Sequence, residues 1–593
     1  MGAGMATADT ARTARGGEWL VAETDPATVT TREGLSEEHR LIEQSAAEFM
    51  DGEVLPALER LEAKDWALNR ALIEKGGALG LLGTNVPESY GGVDLDKVST
   101  MLISEQIARS ASFAATFGAQ ANLTILPIYM FGTEAQKSRY LPKLVAGEMV
   151  GAYCLSESGS GSDALGAKAR AMRQADGSYL LSGEKMWITN GGFADLYVVF
   201  AKVDGEHFTA FLVERAWPGV SAGKEEHKLG LHGSSTTPVI LQEVKVPADA
   251  VLGEVGKGHK VAFNVLNFGR FKLGAMTLGG TRATLGEAAP YAASRKQFGV
   301  PIATFGAIRH KLGEMAARTY ALESLMYRTA GAIDARIAAS GSSAAATLQA
   351  LEEFAVEASI AKVYGSEVID FVIDEALQIF GGNGFVADYP IERRYRDARV
   401  NRIFEGTNEI NRLLIPGMLI KKAVKGDLPL MAAARALQAE LVGPPAMHED
   451  DGPLAAERRA AIGFKKVVLQ VAGVAMQRHG ERLQDEQEVL SHLADIVIDA
   501  YAAESAVLRA LAATARPGDA SLHVAAATAV VHEASGRIEL SARSALAALA
   551  EGDTARVHLA ASRRLLKLVP ANLVEVRRRL ADATVAAGGY PFP

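Results

Sequence analysis

Residues 178–190 read SYLLSGEKMWITN. The run is short, mixes apolar and alternating positions, and is rich in residues that pack on a pleated surface. LYVVFAKV (196–203), FTAFLVE (208–214) and VILQEVKVP (239–247) follow in the same character, separated by Gly, Asp and Pro. Together they predict antiparallel strands in a small β domain, residues 151–260, closing near VLGEVGKGHK (251–260).

On both sides the period changes to that of a helix. EEHRLIEQSAAEFM (37–50) puts Leu41, Ser45 and Phe49 on one side, with Ile42 and Ala46 alongside. VPESYGG (86–92) is a turn by composition. GTEAQKSRYLPKLVAGE (132–148) predicts a short helix stopped by Pro142 and then resumed. Helical runs return from Val261 to Lys425. A further helical region then carries Val489, Leu493, Ile496 and Ala500 in a buried stripe. LVGPPAMHEDDGPLA (441–455) reads as an exposed loop between the two helical regions. The expected fold is mainly α with a small central antiparallel β domain. Its parts are an N-terminal arm (1–35), an α-helical domain (36–150), the β domain (151–260), a second α-helical domain (261–425) and a C-terminal helical bundle (426–593).

The 593 residues exceed what one core serves, and 48% hydrophobic with 22% charged is globular composition. A net charge of −8 disfavours nucleic acid. The single cysteine, Cys154, excludes an intrachain disulfide framework and fits a reducing compartment. No uninterrupted apolar run reaches the ~18 residues of a membrane-spanning helix. MGAGMATADTARTARGGEW (1–19) has a transit peptide's arginines, but Asp9 and the lack of a long amphipathic pattern favour a disordered arm. Ala6 stands where a myristoylation signal needs Ser or Thr.

Four stretches could carry chemistry. YCLSESGSGSDALG (153–166) offers hydroxyls and accessible backbone N–H groups for an anion or a planar heterocycle, and is equally a flexible linker by composition. EKMWITNGG (184–192) sets Trp187 and Thr189 two apart on a strand, hence on one side, as a ring wall beside a hydroxyl donor; a core tryptophan is the plainer alternative. RKQFG (295–299) and QIFGGNGF (378–385) supply a permanent fork donor, Arg295, and glycines that admit close approach, or else a surface ion pair and a helix stop. RIFEGTNEI (402–410) places Glu405 just before a helix that Thr407 or Asn408 can cap, whose free N–H groups suit phosphate. On composition alone Glu405 is a solvated acid at a turn.

In this order, these pieces resemble the acyl-CoA dehydrogenase family over Leu41–Gly426, with LLGTNVPESYGG, NFGRF and YRDARVNRIFEGTNEINRLL adding to the match. The C-terminal extension is similar to that of the very-long-chain subgroup and its bacterial counterparts. The resemblance implies non-covalent FAD and oxidation of an acyl-CoA, long-chain by analogy, to the trans-2-enoyl-CoA. Electrons would pass to an electron-transfer flavoprotein. It implies Glu405 as the base; Tyr153, Leu155, Ser156, Gly161, Ser162, Trp187, Ile188 and Thr189 at the flavin; and Arg295, Gln297 and Phe298 at a neighbouring subunit's cofactor. Gln378, Ile379, Gly381 and Gly382 would meet the adenosine diphosphate, with Thr407 and Glu409 as further contacts. Ser162, Asn267, Arg270, Phe404 and Gly406 would border the acyl-CoA. No metal is implied. Two departures stand out. Gly306 replaces a glutamine that some members place on FAD. Gly269 stands where isovaleryl-type enzymes carry their base, so Glu405 is the one base candidate the resemblance offers.

The chemistry such a site needs is a carboxylate within about 3 Å of a weakly acidic α C–H, its basicity raised by exclusion of water. Phe404 and a bound apolar chain would supply the desolvation, and Gly406 a tight bend. The resemblance places the Glu405 N–H and a ribityl hydroxyl on the thioester oxygen. An acyl-CoA oxidase shares this half-reaction, and the residues do not separate the two. A nucleic-acid-associated member of the same fold is disfavoured by Glu405 and the charge. The Arg393–Arg399 cluster reads as a helix face paired with Glu392 and Asp397. No stable membrane association is expected. Glu449, Asp450 and Asp451 would be repelled by anionic lipid, and KKVVLQVAGVAMQR (465–478) reads as core. The expected assembly is a homodimer in a bacterial cytoplasm, with a mitochondrial matrix as the alternative.

Overall fold

The computed structural model of the chain describes residues 13–443 and 452–592. Helices Glu37–Phe49, Trp66–Ala78, Lys97–Ile107, Ala111–Gln120 and Glu134–Val145 come first. An eight-stranded sheet follows: β1 (Gly151–Cys154), β2 (Arg170–Arg173), β3 (Tyr179–Thr189), β4 (Leu196–Val203), β5 (His207–Glu214), β6 (Val220–Ala222), β7 (Thr236–Val246) and β8 (Val251–Leu252). The order is β6-β7-β3-β2-β4-β5-β8, with β1 also on β4. Pairing is antiparallel except at β4, which takes β1 and β2 as parallel partners. β4 is buried along nearly its whole length, as a strand covered on both faces must be.

The second helical region consists of the long helix Gly258–Ser294, then Gly306–Ala339, Ala355–Phe380 and Asn408–Lys425. The extension adds Leu430–Val442, Ala455–His479, Gln487–Thr514, Ser521–Leu549, Gly552–Leu565 and Leu573–Ala587. Two large apolar cores result. One joins the N-terminal helices to the sheet; the other fuses the second helical region with the extension. Val489, Leu493, Ile496 and Ala500 lie in the second core, as their spacing predicts. The 465–478 stretch is core too, with Lys465 buried on Glu504 and the Trp19 and Ala22 carbonyls. In the 393–399 cluster, Arg396 pairs with Glu392, whereas Arg393 and Arg394 reach Glu59 and Glu287 and Asp397 accepts from Leu231 N–H.

Several expectations are corrected. Within the expected arm, residues 13–35 are packed: Trp19 and Leu20 are buried, and Gly17 N–H donates to Glu357 Oε1 at 2.7 Å. Glu357 lies 340 residues from Gly17, where no local pattern reports it. Residues 1–12, with Asp9 and Ala6, lie outside the described residues, as do 444–451 of the expected loop. Pro142 does not interrupt its helix, which runs unbroken through Glu134–Val145. Buried Leu141 and Leu144 hold the final turn in place. Leu41 is 59% exposed. The buried stripe is Ile42–Ala46–Phe49, because each i+4 step drifts about 40° around a helix with 3.6 residues per turn.

Candidate active site

Glu405 and Gly406 are successive left-handed residues, with φ 58° and 78°. Glycine takes that backbone freely; a glutamate there costs on the order of 1–3 kcal/mol and must be held. The holding groups are visible. Thr407 caps the next helix, its Oγ1 accepting from Ile410 N–H at 3.3 Å. Asn411 Nδ2 donates to the carbonyls of Gly406 (2.8 Å) and Thr407 (3.0 Å). From the long helix, Arg270 Nε donates to the Glu405 carbonyl at 3.2 Å. Another Arg270 nitrogen, Nη1, donates to Asn267 Oδ1 at 2.9 Å, so both expected acyl-CoA contacts are engaged in bracing the turn.

The Glu405 carboxylate points at the long helix. Its Oε2 is sealed from solvent and has no hydrogen-bond partner. A β-carbon placed on Gly269 would lie 2.5 Å from that oxygen. Burial pushes the Glu405 acid up to about 7, opposed first by Arg270 and then by Lys362. Such a group is about half ionised near pH 7 and fully ionised a little above it, while poorly solvated, the condition a carboxylate base needs.

Thr189, Gly269, Phe404 and Glu405 open on one cavity. Its walls beyond them are small: Ala111, Ala114, Ala115, Gly118 and Ala119 on one helix, Gly280 on another. Leu273, Met276, Ile369 and Ile373 add apolar surface. Phe404, the neighbour expected to desolvate Glu405, is itself 37% exposed.

The remaining expected residues fall into three places. The 153–162 loop is pinned, not a free linker: Glu157 pairs with fully buried Lys185 at 2.7 Å and accepts from Lys168 and Ala169 N–H. Tyr153 hides its hydroxyl without a partner, Ser156 is half-buried, and Gly161 and Ser162 are exposed. Trp187 is 58% exposed with φ 58°, at a bulge between Lys185 and Ile188. Strict alternation does not carry through that bulge, so it is the bulge that aims the indole outward. Leu155, Ile188 and Ile379 turn their side chains into the core, leaving only their backbones for a ligand. Arg295, Gln297 and Phe298 sit on an exposed hairpin away from the cavity lining, with Phe298 95% exposed. Gln378, Gly381, Gly382 and Glu409 are exposed on other surfaces, and Gly306 begins its helix exposed, with the Arg578 guanidinium 3.9 Å from where a β-carbon would stand.

Sequence reasoning missed three groups. Lys272 lines the cavity, its Nζ on the Thr100 carbonyl at 2.5 Å, and burial lowers it to about 7. Asn122 lines the same cavity. Lys362 lies buried behind the Glu405 turn. A lysine inside an otherwise apolar helical stripe was the available signal for Lys272 and Lys362.

The chain matches the N-terminal (residues 36–148), middle (152–244) and C-terminal (256–418) domains of acyl-CoA dehydrogenases, and a second acyl-CoA dehydrogenase C-terminal domain over 463–564. It is 44% identical over 583 residues to the "Probable acyl-CoA dehydrogenase" of Bacillus subtilis (strain 168), covering 97% of this chain and 98% of that one. It is 36% identical to the very long-chain specific mitochondrial enzyme of Rattus norvegicus, over 72% of this chain and 67% of the relative. An acyl-CoA dehydrogenase from Bacillus anthracis, crystallised with FAD, superposes with TM-score 0.95 at 46% identity, over 97% of this chain and all of that one.

Fold and site together define an FAD-dependent oxidoreductase. The chain belongs to the acyl-CoA dehydrogenase family. The residues present fit the cofactor: an outward-facing indole stands beside Thr189, which opens on the cavity holding Glu405. Trp187 and Thr189 would hold the flat heterocycle, which would supply the hydride acceptor there.

Proposed function

We propose that the protein removes two hydrogens from Cα and Cβ of a long-chain acyl-CoA, giving the trans-2-enoyl-CoA of fatty-acid β-oxidation. Glu405 takes the Cα proton; its sealed, unpartnered Oε2 is the observation that carries the reading. Thr407 and Asn411 hold the turn, and Arg270 fixes the Glu405 carbonyl, so the Glu405 N–H can meet the thioester oxygen as charge develops there. FAD, when bound, supplies the acceptor for the hydride that leaves Cβ. The 155–162 loop, Trp187 and Thr189 would hold its ring. Gln378, Gly381, Gly382, Thr407 and Glu409 would hold its diphosphate end.

The length of the cavity supports the long-chain reading. It extends along the long helix from Gly269 to Gly280. At the helical rise this is about 16 Å, room for about a dozen methylenes of ~1.5 Å C–C bonds in extended form. No large side chain on the Ala111–Gln120 helix closes it. Exposed Phe298 and Phe385 suit the interface of a homodimer in which each hairpin reaches the partner's cofactor. Among the described residues no helix is long and apolar enough to cross a membrane, and a bacterial cytoplasm is the proposed compartment.

Anaerobic bleaching of the flavin by saturated acyl-CoAs of graded length, with identification of the product, tests this reading. Bleaching that strengthens from C4 to about C12–C16 and yields trans-2-enoyl-CoA supports it. A preference for C4 would overturn the chain-length assignment. Reoxidation by an electron-transfer flavoprotein in preference to oxygen separates the dehydrogenase from the oxidase, and light scattering measures the dimer.

A further inference from the structure

Lys362 sits on Ala355–Phe380, the helix behind the Glu405 turn, and is fully buried. Its Nζ donates to Asn408 Oδ1 at 2.6 Å. Asn408 opens the helix that follows Thr407, and its own amide donates to Ser366 Oγ (3.0 Å) and Glu367 Oε1 (3.1 Å). The ammonium is thus tethered by a neutral amide, with no direct ion pair among the described residues. An ammonium taken out of water costs several kcal/mol unless some charge nearby offsets it. The charged groups that face it are Glu405 from the turn, Arg270 from the long helix, Glu367 from its own helix and Glu409 from the capped helix. Among the acids, Glu405 favours the charged lysine most.

We infer that Lys362 is a positioning residue for the reaction: held on Asn408, it keeps the Glu405 carboxylate ionised before substrate arrives and favours release of the captured proton afterwards. The inference rests on Glu405 being the base. Before turnover, Lys362 and Arg270 are the two cations offsetting the cost of a buried carboxylate. When Glu405 takes the Cα proton its charge disappears, and the two cations then face a neutral acid. That imbalance drives the proton off Glu405 to solvent once the product has left. Lys362 never touches the thioester; it acts through the field at Glu405. The Asn408 tether fixes that field, because a free lysine side chain would swing away from a neutral base.

The test compares wild type, Lys362→Met and Lys362→Arg as FAD-loaded enzymes. Two properties are followed against pH: the rate of flavin reduction by a saturated acyl-CoA, and the infrared C=O band of protonated Glu405, identified by its absence in Glu405→Gln. In wild type both should turn over near pH 7. In Lys362→Met both midpoints should rise by ~1–2 pH units, the scale on which one nearby charge acts. Reduction should then be ~5–50-fold slower at pH 7 and within about twofold of wild type at pH 9. Lys362→Arg should stay near wild type. A Lys362→Met enzyme slowed equally at every pH, with the infrared midpoint unmoved, would mean that Lys362 only supports the fold and would overturn the inference. Should Lys362→Met fail to fold, Lys362→Gln carries the same comparison. A Glu405→Gln enzyme that still reduces its flavin would sink the underlying reading instead, so the two failures are distinguishable.

Discussion

Gly269 faces the Glu405 carboxylate across the cavity so closely that a β-carbon there would stand 2.5 Å from Oε2 and 2.8 Å from Cδ. Glycine at this point of a 37-residue helix costs ~1 kcal/mol of helix propensity, and the space it leaves is the space the Glu405 carboxylate occupies. Gly269→Ala should fold and keep FAD, since the added propensity offsets the contact. It should reduce its flavin ~10–100-fold more slowly, because a displacement of about 1 Å at the reacting group has that effect. Stopped-flow reduction against thermal midpoint separates the two consequences.

This relationship shows what the sequence made legible. The ordered motifs pointed to the family, and the family to Glu405, with Gly269 unable to serve in its place. Gly406 announced a bend. Nothing local announced that Glu405 is itself left-handed, because the groups that hold it, Arg270 and Asn411, act through contacts that only the fold assembles. The bulge that turns Trp187 outward was hidden for a related reason: alternation is a property of regular strands, and β3 is irregular where it meets the site. Residues 13–35 read as an arm because their partners, Glu353, Glu357 and Lys422, are remote.

Narrowing the cavity should shorten the substrate. Ala115→Leu adds methylenes to a wall now made of alanine and glycine. It should lower kcat/KM for C12 and longer acyl-CoAs by ~10–200-fold, the range a methylene-sized change in an apolar pocket can exert, and leave C4 within about twofold. Flavin bleaching across the series measures both ends.

Stability should carry the signature of the buried acid. The ordinary value for a solvated glutamate, which the unfolded chain offers, is 4.5; in the fold Glu405 is raised to about 7. Between those values the folded protein binds the extra proton. Its contribution is therefore full below pH 4.5 and falls as pH rises through the folded value. Above the folded value the penalty is complete, at most ~3 kcal/mol and less where the cavity admits water. Glu405→Gln cannot ionise. Its thermal midpoint should exceed wild type by a few degrees at about pH 8 and match it near the solvated value.

The extension should prove inseparable from the rest of the fold. Arg509, fully buried on Gln487–Thr514, pairs with Glu33 at 2.6 Å and with Glu323 at 2.7 Å, joining three parts of the chain. Burial opposes its charge, and Glu323, Tyr590, Glu33 and Tyr320 together more than offset that cost. Arg509→Met leaves both carboxylates without that partner and should cost about 3–5 kcal/mol. A fall in denaturation midpoint, with the pH profile of flavin reduction unchanged in the surviving fold, is the expected result.

The most direct measurement is anaerobic mixing of FAD-loaded Glu405→Gln with a saturated long-chain acyl-CoA while the flavin absorbance is followed. The account predicts a yellow, folded enzyme that binds the thioester and reduces its flavin at least ~100-fold more slowly than wild type at pH 8, as loss of a general base worth ~10²–10⁴ requires. Reduction of the Glu405→Gln flavin within tenfold of the wild-type rate would contradict it, because another group would then be taking the Cα proton.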